Sequence, residues 1–296
     1  MKPVISTAFL IILILFKMDA QAQSFKTIEA NNLKLQVYNA SENSFGVASV
    51  IVSGKTDAVL IDAQFTLADA ENVAREIKNS GKKLTAIYVS YGDPDFYFGL
   101  EVFKKYFPEV TAYASPATVE HIKATAQKKL DVWGGQLGNK VTSNVVLPQI
   151  LKGNSIDLEG QKLEIIGFEE FPAKTFVWIP SKKAVIGGIN VFGTTFHLWM
   201  ADAQTAEARK EWISVLDKIE ELQPTIVVPA HAKSESAFDL SAVKHTKNYI
   251  RFYEEALKTN KTSETLIAAL KAKYPALTFD IALQIGAKVN TGEMKW

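Results

Sequence analysis

Two carboxylates two residues apart, Asp93 and Asp95, follow an apolar run in Val89-Ser90-Tyr91-Gly92-Asp93-Pro94-Asp95. In a turn tightened by Gly92 and Pro94 they cannot both be buried uncompensated. Each must face water, accept hydrogen bonds or neutralise its charge on a cation. Such a turn is either a hard-cation site, since carboxylate oxygens suit Mg²⁺, Ca²⁺ or Mn²⁺, or an ordinary turn whose side chains bond backbone amides. His231, between Ala230 and Ala232 after Val227-Val228-Pro229, is either a ligand or a structural loop histidine. His197, in Phe196-His197-Leu198-Trp199, either lines a pocket or packs a core edge. His121 and His245 fall in helical segments and are expected to face solvent.

Composition closes several other routes. The 296 residues contain no cysteine, which excludes thiolate zinc sites, disulfides and cysteine nucleophiles. A net charge of +1 gives no electrostatic reason to expect nucleic acid or an acidic membrane as partner. No Gly-x-x-x-x-Gly-Lys phosphate loop and no Gly-x-Ser-x-Gly elbow is present. At 47% apolar residues the chain can build a core. Its start reads as a leader: Lys2, an apolar run from Val4 to Phe16, then Ala20-Gln21-Ala22. That run is shorter than the ~20 residues of a membrane span and suits a signal peptide over residues 1–22. The expectation is a periplasmic or secreted protein without a stable membrane anchor, whose mature chain forms a single domain over 23–296.

The elements that must position these groups alternate in type. Leu33–Tyr38 alternates with period two, Gly46–Val52 is β-rich, and Ala58–Ile61 is apolar up to Asp62. A helix is predicted over 67–80, capped by Thr66 with Asp69, facing the core through Ala70, Val73 and Ile77, and stopped by Gly81. A buried strand, 84–89, runs into the Asp93–Asp95 turn. Helices are predicted at 99–106 and 116–130, with a short strand at 110–114 and a loop from residue 131. Strands follow at 155–158, 162–167, 175–179 and 183–191. A helix over 205–222 leads to strand 225–228, and a helical tail covers about 237–296, with Tyr249, Phe252, Ala256 and Leu257 on one stripe. The β–β–β–α–β order, once in each half, predicts an α/β protein with helices outside two facing sheets. Beyond the carboxyl ends of strands, where ligands gather in such folds, lie Asp62, Tyr91, Asp93, Asp95, Glu169 or Glu170, Asn190 and His231.

In this order the segments resemble the metallo-β-lactamase-fold hydrolases, the αββα superfamily of β-lactamases, glyoxalase II and lactonases. Val59-Leu60-Ile61-Asp62 is similar to the strand bearing the family's first aspartate. Residues Tyr88 to Gly99 lie where the family carries His-x-His-x-Asp-His and a following glycine. Phe171 to Pro180 follows the spacing of the segment after the third histidine. Gly187-Gly188-Ile189-Asn190-Val191-Phe192 takes the Gly-Asp-x-Val-Phe place, and Val228-Pro229-Ala230-His231-Ala232 resembles the closing Val-Pro-Gly-His-Gly. The resemblance covers nearly the whole mature chain and implies a four-layer αββα sandwich of two facing mixed sheets.

The same comparison implies an altered site. Tyr91, Asp93 and Phe96 stand at histidine positions, Glu170 (or Glu169) at the third histidine, and Ile189 or Asn190 at the bridging aspartate. Only Asp95 and His231 keep the family's metal-site identity, with Asp62 behind them. The family's pair of zinc ions and bridging hydroxide is therefore not expected. Three readings stay open. One is a single harder divalent ion on Asp93, Asp95, Glu170 and His231, with Asn190 or Tyr91 completing its shell, activating water against a small ester, lactone or amide. The second is a metal-free cleft that binds a small molecule. The third is a metal-free enzyme using an Asp95–His231 acid/base pair. Phe65, Trp133, Phe192, His197 and Trp199 would give the cleft an aromatic wall, with Asn190 at its edge.

Overall fold

The computed structural model describes residues 25–30 and 32–296; the leader expected over 1–22 lies outside them. Period-two strands in the first half form one sheet: β1 (Phe25–Ala30), β2 (Leu33–Asn39), β3 (Ala48–Ser53), β4 (Asp57–Ile61), β5 (Lys83–Val89), β6 (Thr111–Ala114) and β7 (Gln149–Ile150). Their spatial order is their chain order. Pairing is antiparallel from β1 to β4, and parallel from β4 to β7, where helical crossovers join the strands. Those crossovers hold α1 (Leu67–Asn79), α2 (Pro94–Tyr97), α3 (Leu100–Tyr106) and α4 (Pro116–Leu137).

The second sheet contains β8 (Ser155–Leu158), β9 (Gln161–Ile166), β10 (Phe176–Ile179) and β11 (Ala184–Ile186); after α5 (Ala206–Glu221) comes β12 (Ile226–Val227), in order β12-β11-β10-β9-β8. Three helices end the chain: α6 (Leu240–Thr259), α7 (Ser263–Lys273) and α8 (Asp280–Asn290). Alternation along the strands assigns the layers. Val59 and Ile61 join Val37, Val50 and Tyr88 against Leu163, Ile165, Val177 and Ile186 of the other sheet. Ala58 and Leu60 instead share a core with the apolar faces of the helices, including Val73 and Ile77 of α1 and Val215 and Leu216 of α5. Two mixed sheets thus stand face to face with helices outside, the αββα arrangement expected. Each fully buried Val or Ile contributes about 1.5–3 kcal/mol.

Local chemistry sets the boundaries. Thr66 caps α1 by accepting from the Asp69 amide at 3.2 Å, but the Asp69 carboxylate takes the hydroxyls of Thr66 (2.5 Å) and Tyr38 (2.7 Å), tying the helix to β2. The loop expected from residue 131 is instead the last two turns of α4, which runs to Leu137. Gly134 and Gly135 each cost about 1 kcal/mol relative to Ala in a helix, and the core contacts of Leu130, Trp133 and Leu137 offset this. The strand expected over 183–191 stops at Ile186, because Gly187 and Gly188 take positive φ (66° and 77°) and turn the chain away. His245, expected in solvent, is half-buried and bonds the Phe196 carbonyl at 3.0 Å.

Candidate functional site

Strand ends and the loops between them build the site. Asp62, just past β4, has a left-handed backbone (φ 63°) and is buried. Its carboxyl accepts from the Ser90 amide (2.8 Å) and from the Ser90 hydroxyl, whose oxygen in turn accepts from the Gly188 amide at 2.7 Å. Ser49 donates to the Asp62 carbonyl at 2.7 Å. One side chain thus pins the ends of β4 and β5 to the turn after β11. Burial raises the Asp62 carboxyl to about 7, against the opposing pull of the Ser90 donors. Asp62 is buried and its side-chain bonds go to Ser90, so its part is to hold the strand ends together.

After β5 the chain turns at Gly92 into α2. Asp93 is the residue before α2, yet its side chain makes no capping bond. It pairs instead with Lys129 of α4 at 2.5 Å, and Lys129 also donates to the Gly92 carbonyl (2.9 Å) and meets His121 Nε2 at 3.1 Å. Asp95 lies inside α2 and is 6% exposed. The turn is held to the β4–α1 loop by the Ala63 amide on the Phe96 carbonyl (2.8 Å) and the Gly99 amide on the Gln64 carbonyl (3.0 Å). Gly99 is required by closeness: a Cβ there would lie 1.9 Å from the Ala63 carbonyl oxygen.

His231 arrives from the opposite half. Its turn is bonded between two loops: Ala48 donates to the Ala230 carbonyl, Ala230 to Val191, Gly193 to His231 and Ala232 to Gly46, all at 2.7–3.0 Å. The Nδ1 of His231 lies 3.0 Å from the Phe45 carbonyl, which can only accept, so Nδ1 carries the proton. The lone pair on Nε2 then faces Asp95 Oδ2 at 3.5 Å. Phe192 (4.9 Å) and Phe279 (6.1 Å) stack on the imidazole, and Phe96 meets it edge-on at 5.8 Å. Burial lowers the imidazole to about 4, although the Phe45 carbonyl and Asp93 favour its charged form. Burial also pushes the Asp95 carboxyl well up, Asp93 adding like-charge repulsion. Both shifts select the same state, a neutral acid beside a neutral imidazole.

The remaining sequence candidates divide. Tyr91 is half-buried, edge-on to Phe96 at 5.6 Å, its hydroxyl held protonated by burial and then by Asp202, Asp93, Asp95 and Glu211. Asn190 is buried: its amide donates to the Lys174 carbonyl at 2.9 Å, while Oδ1 has no partner among the described residues. Phe65 and Trp133 stand edge to face at 5.3 Å and both pack on Phe45. Trp199 leans on Phe45 and Phe279, so these rings form one aromatic wall that reaches His231. His197 belongs elsewhere: fully buried, it bonds Tyr249 of α6 at 3.0 Å, and burial lowers it to about 4.

The donor set expected for one harder ion is not assembled. Glu170, like Glu169, is exposed in the turn after β9, and Asp93 is committed to Lys129. Among the described residues no three His, Asp or Glu side chains form a group that could hold a metal ion. Of these candidates among the described residues, Asp95 and His231 converge, and the Phe96 ring that meets the imidazole edge-on offers no donor atom. The residues present therefore do not fit the metal centre that the resemblance implies.

Other groups near the site carried no sequence signal. Lys129, Lys174, Asp202, Phe279 and Trp296 come from helices and loops distant in sequence. Lys174 lies over the Trp212 ring at 5.3 Å. Burial lowers its ammonium, while Asp202, Glu211 and Asp93 favour its charge.

No protein-family model and no curated protein matches the chain. Solved structures do. DIM-1 metallo-β-lactamase is similar with a TM-score of 0.54 at 18% identity, over 77% of this chain and 97% of that one. A metallo-β-lactamase from Pontibacter korlensis is similar with a TM-score of 0.54 at 18% identity, over 77% and 99%. With its paired mixed sheets, its Asp62 tether and its site at the strand ends, this chain has the metallo-β-lactamase fold.

Proposed function

We propose that the protein is an exported, metal-independent small-molecule-binding form of this hydrolase fold. One observation carries the reading: where the family holds metal, a buried carboxylic acid and a buried neutral imidazole meet at 3.5 Å. In this reading the pair is the floor of a ligand site, with Phe45, Phe65, Trp133 and Trp199 as its apolar wall and Tyr91 with the Asp93–Lys129 pair as its polar side. Apolar walls with a few placed polar groups suit a small organic ligand. Water activation on a single ion, the other use of these residues, would draw on Glu170 and Asp93, which are turned to solvent and to Lys129.

Metal-independent hydrolysis by the Asp95–His231 pair is the second reading, favoured by the fixed tautomer. A protonated Asp95 can donate to the leaving oxygen as its bond to the acyl carbon breaks, while Nε2 accepts a proton from the water that attacks that carbon.

The test is to load the mature protein with Zn²⁺, Mn²⁺ and Ca²⁺, dialyse it, measure metal, and screen lactone, thioester, β-lactam and phosphoester ligands for thermal shift and turnover. Metal below a tenth of stoichiometry with ligand-dependent stabilisation supports the binding reading. Stoichiometric metal overturns it, and turnover lost in His231→Ala replaces it with the second reading.

A further inference from the structure

Away from the Asp95–His231 pair, one of the two carboxylate oxygens of Asp202 is left unbonded among the described residues. Trp296 donates its indole N–H to Oδ1 at 2.6 Å, while Oδ2 is buried with no hydrogen-bond partner among the described residues. A carboxylate offers about four lone-pair sites, and leaving a buried oxygen unbonded costs about 1–3 kcal/mol. The orphan oxygen therefore marks a place for a donor that the described residues do not supply.

Its surroundings say which donor. Trp296 stands edge to face with Trp199 at 5.5 Å, so two indoles border the carboxylate. Trp199 leans on Phe279 at 6.3 Å, and Phe279 stacks on His231 at 6.1 Å, so a row of packed rings links this carboxylate to the Asp95–His231 pair. Indole faces and a carboxylate both attract a cation. Burial raises the Asp202 carboxyl to about 7 and Asp93 adds like charge there, so a bound ammonium would favour the ionised form and an anion would not. The resident cation Lys174 is near enough to favour ionised Asp202, but its ammonium lies over Trp212 and makes no hydrogen bond to Asp202. Trp296 is 53% exposed, so little packing holds it against an entering ligand.

We propose that Asp202, Trp199 and Trp296 form a subsite for the ammonium group of an organic amine whose apolar body lies along the aromatic wall of the cleft. The assignment rests on the reading of that cleft as a ligand site and names the class of ligand it takes.

Three near-isosteric probes test it by calorimetry on the full mature chain: 2-phenylethylammonium, 3-phenylpropanoate and 2-phenylethanol. The amine is expected to bind at least tenfold more tightly than the other two. Asp202→Asn should weaken it at least tenfold, and Lys174→Met, which removes a rival cation, should tighten it. Should Asp202→Asn fail to fold, Trp296→Leu, at an exposed side chain, is expected to weaken the amine alone. Equal affinity for all three probes, or tighter binding of the propanoate, overturns the subsite while leaving the cleft a ligand site. No binding of the amine also overturns it. If in addition no compound of the hydrolase screen stabilises the protein, the cleft reading falls as well.

Discussion

The imidazole of His231 turns its unprotonated Nε2 toward the Asp95 carboxyl across 3.5 Å, because Nδ1–H is committed to the Phe45 carbonyl at 3.0 Å. At that separation the two groups are at the outer edge of hydrogen-bond reach. Two charges would lose their hydration with little returned, and the neutral pair avoids that cost.

His231 should make stability pH-dependent in a known direction. Its imidazole falls from 6.5 in the unfolded chain to about 4 in the fold, so its contribution is full above 6.5 and lost as pH falls through 4. Linkage puts the loss at roughly 3 kcal/mol. Urea unfolding at pH 7 and pH 4 should therefore show a stability advantage over His231→Gln that shrinks on acidification. An advantage unchanged across that range would mean the imidazole is not held neutral.

Asp62 titrates with the opposite sense. Its carboxyl is raised from 3.8 to about 7, so the contribution from burying it neutral is present at low pH and lost as pH rises through 7. Asp62→Asn should flatten the fall in stability between pH 5 and pH 8. Asp62→Ala, which strips the Ser90 donors of their acceptor, should cost about 2–4 kcal/mol at either pH. Chemical denaturation of both variants checks this.

Lys129 is the group that keeps Asp93 from a cation. Replacing it in Lys129→Met frees that carboxylate beside Asp95 and His231. Affinity for Mn²⁺ or Zn²⁺ should rise at least tenfold over the parent, measured by calorimetry. No gain would mean that Asp93 cannot reach the point shared by the other two.

Glu159, in the β8–β9 turn, accepts from the backbone amides of Lys55, Thr56 and Asp57 at 2.6–2.8 Å and clamps one sheet to the other. Those amides hold its carboxyl down at about 2. Its contribution is therefore present above about 4.5 and lost as pH falls through 2. Glu159→Gln should lower the melting temperature at pH 7, with the difference vanishing at pH 2.

The β4–α1 stitch depends on a missing side chain. In Gly99→Ala the new Cβ would fall 1.9 Å from the Ala63 carbonyl oxygen and 2.6 Å from Ala70 Cβ, so backbone must move. A loss above about 3 kcal/mol or insoluble protein is expected; near-parental melting would show that the loop yields easily.

Much of the architecture is legible in the sequence because periodicity and punctuation are local. Val59 to Asp62, the cap at Thr66 and the stop at Gly81 are each decided within a few residues. Trp133 reads as a loop residue because two glycines weaken a helix locally, and only tertiary contacts of Leu130 and Leu137 outweigh them. The site is legible in part. Asp95 and His231 meet as their strand-end positions require, whereas the exposure of Glu170 depends on how the turn after β9 leaves the sheet. Lys129, Asp202 and Trp296 are invisible, since nothing in a helix face or a tail marks a residue that folds back on a distant cleft.

If a neutral acid–imidazole pair stands in place of a metal centre, ¹⁵N NMR of His231 is the most direct measurement of it. From pH 8 to pH 5 the ring should remain the neutral Nδ1–H tautomer, and a molar excess of Zn²⁺ should leave Nε2 unshifted. Protonation near pH 6.5, or a zinc-induced shift of Nε2, would contradict it.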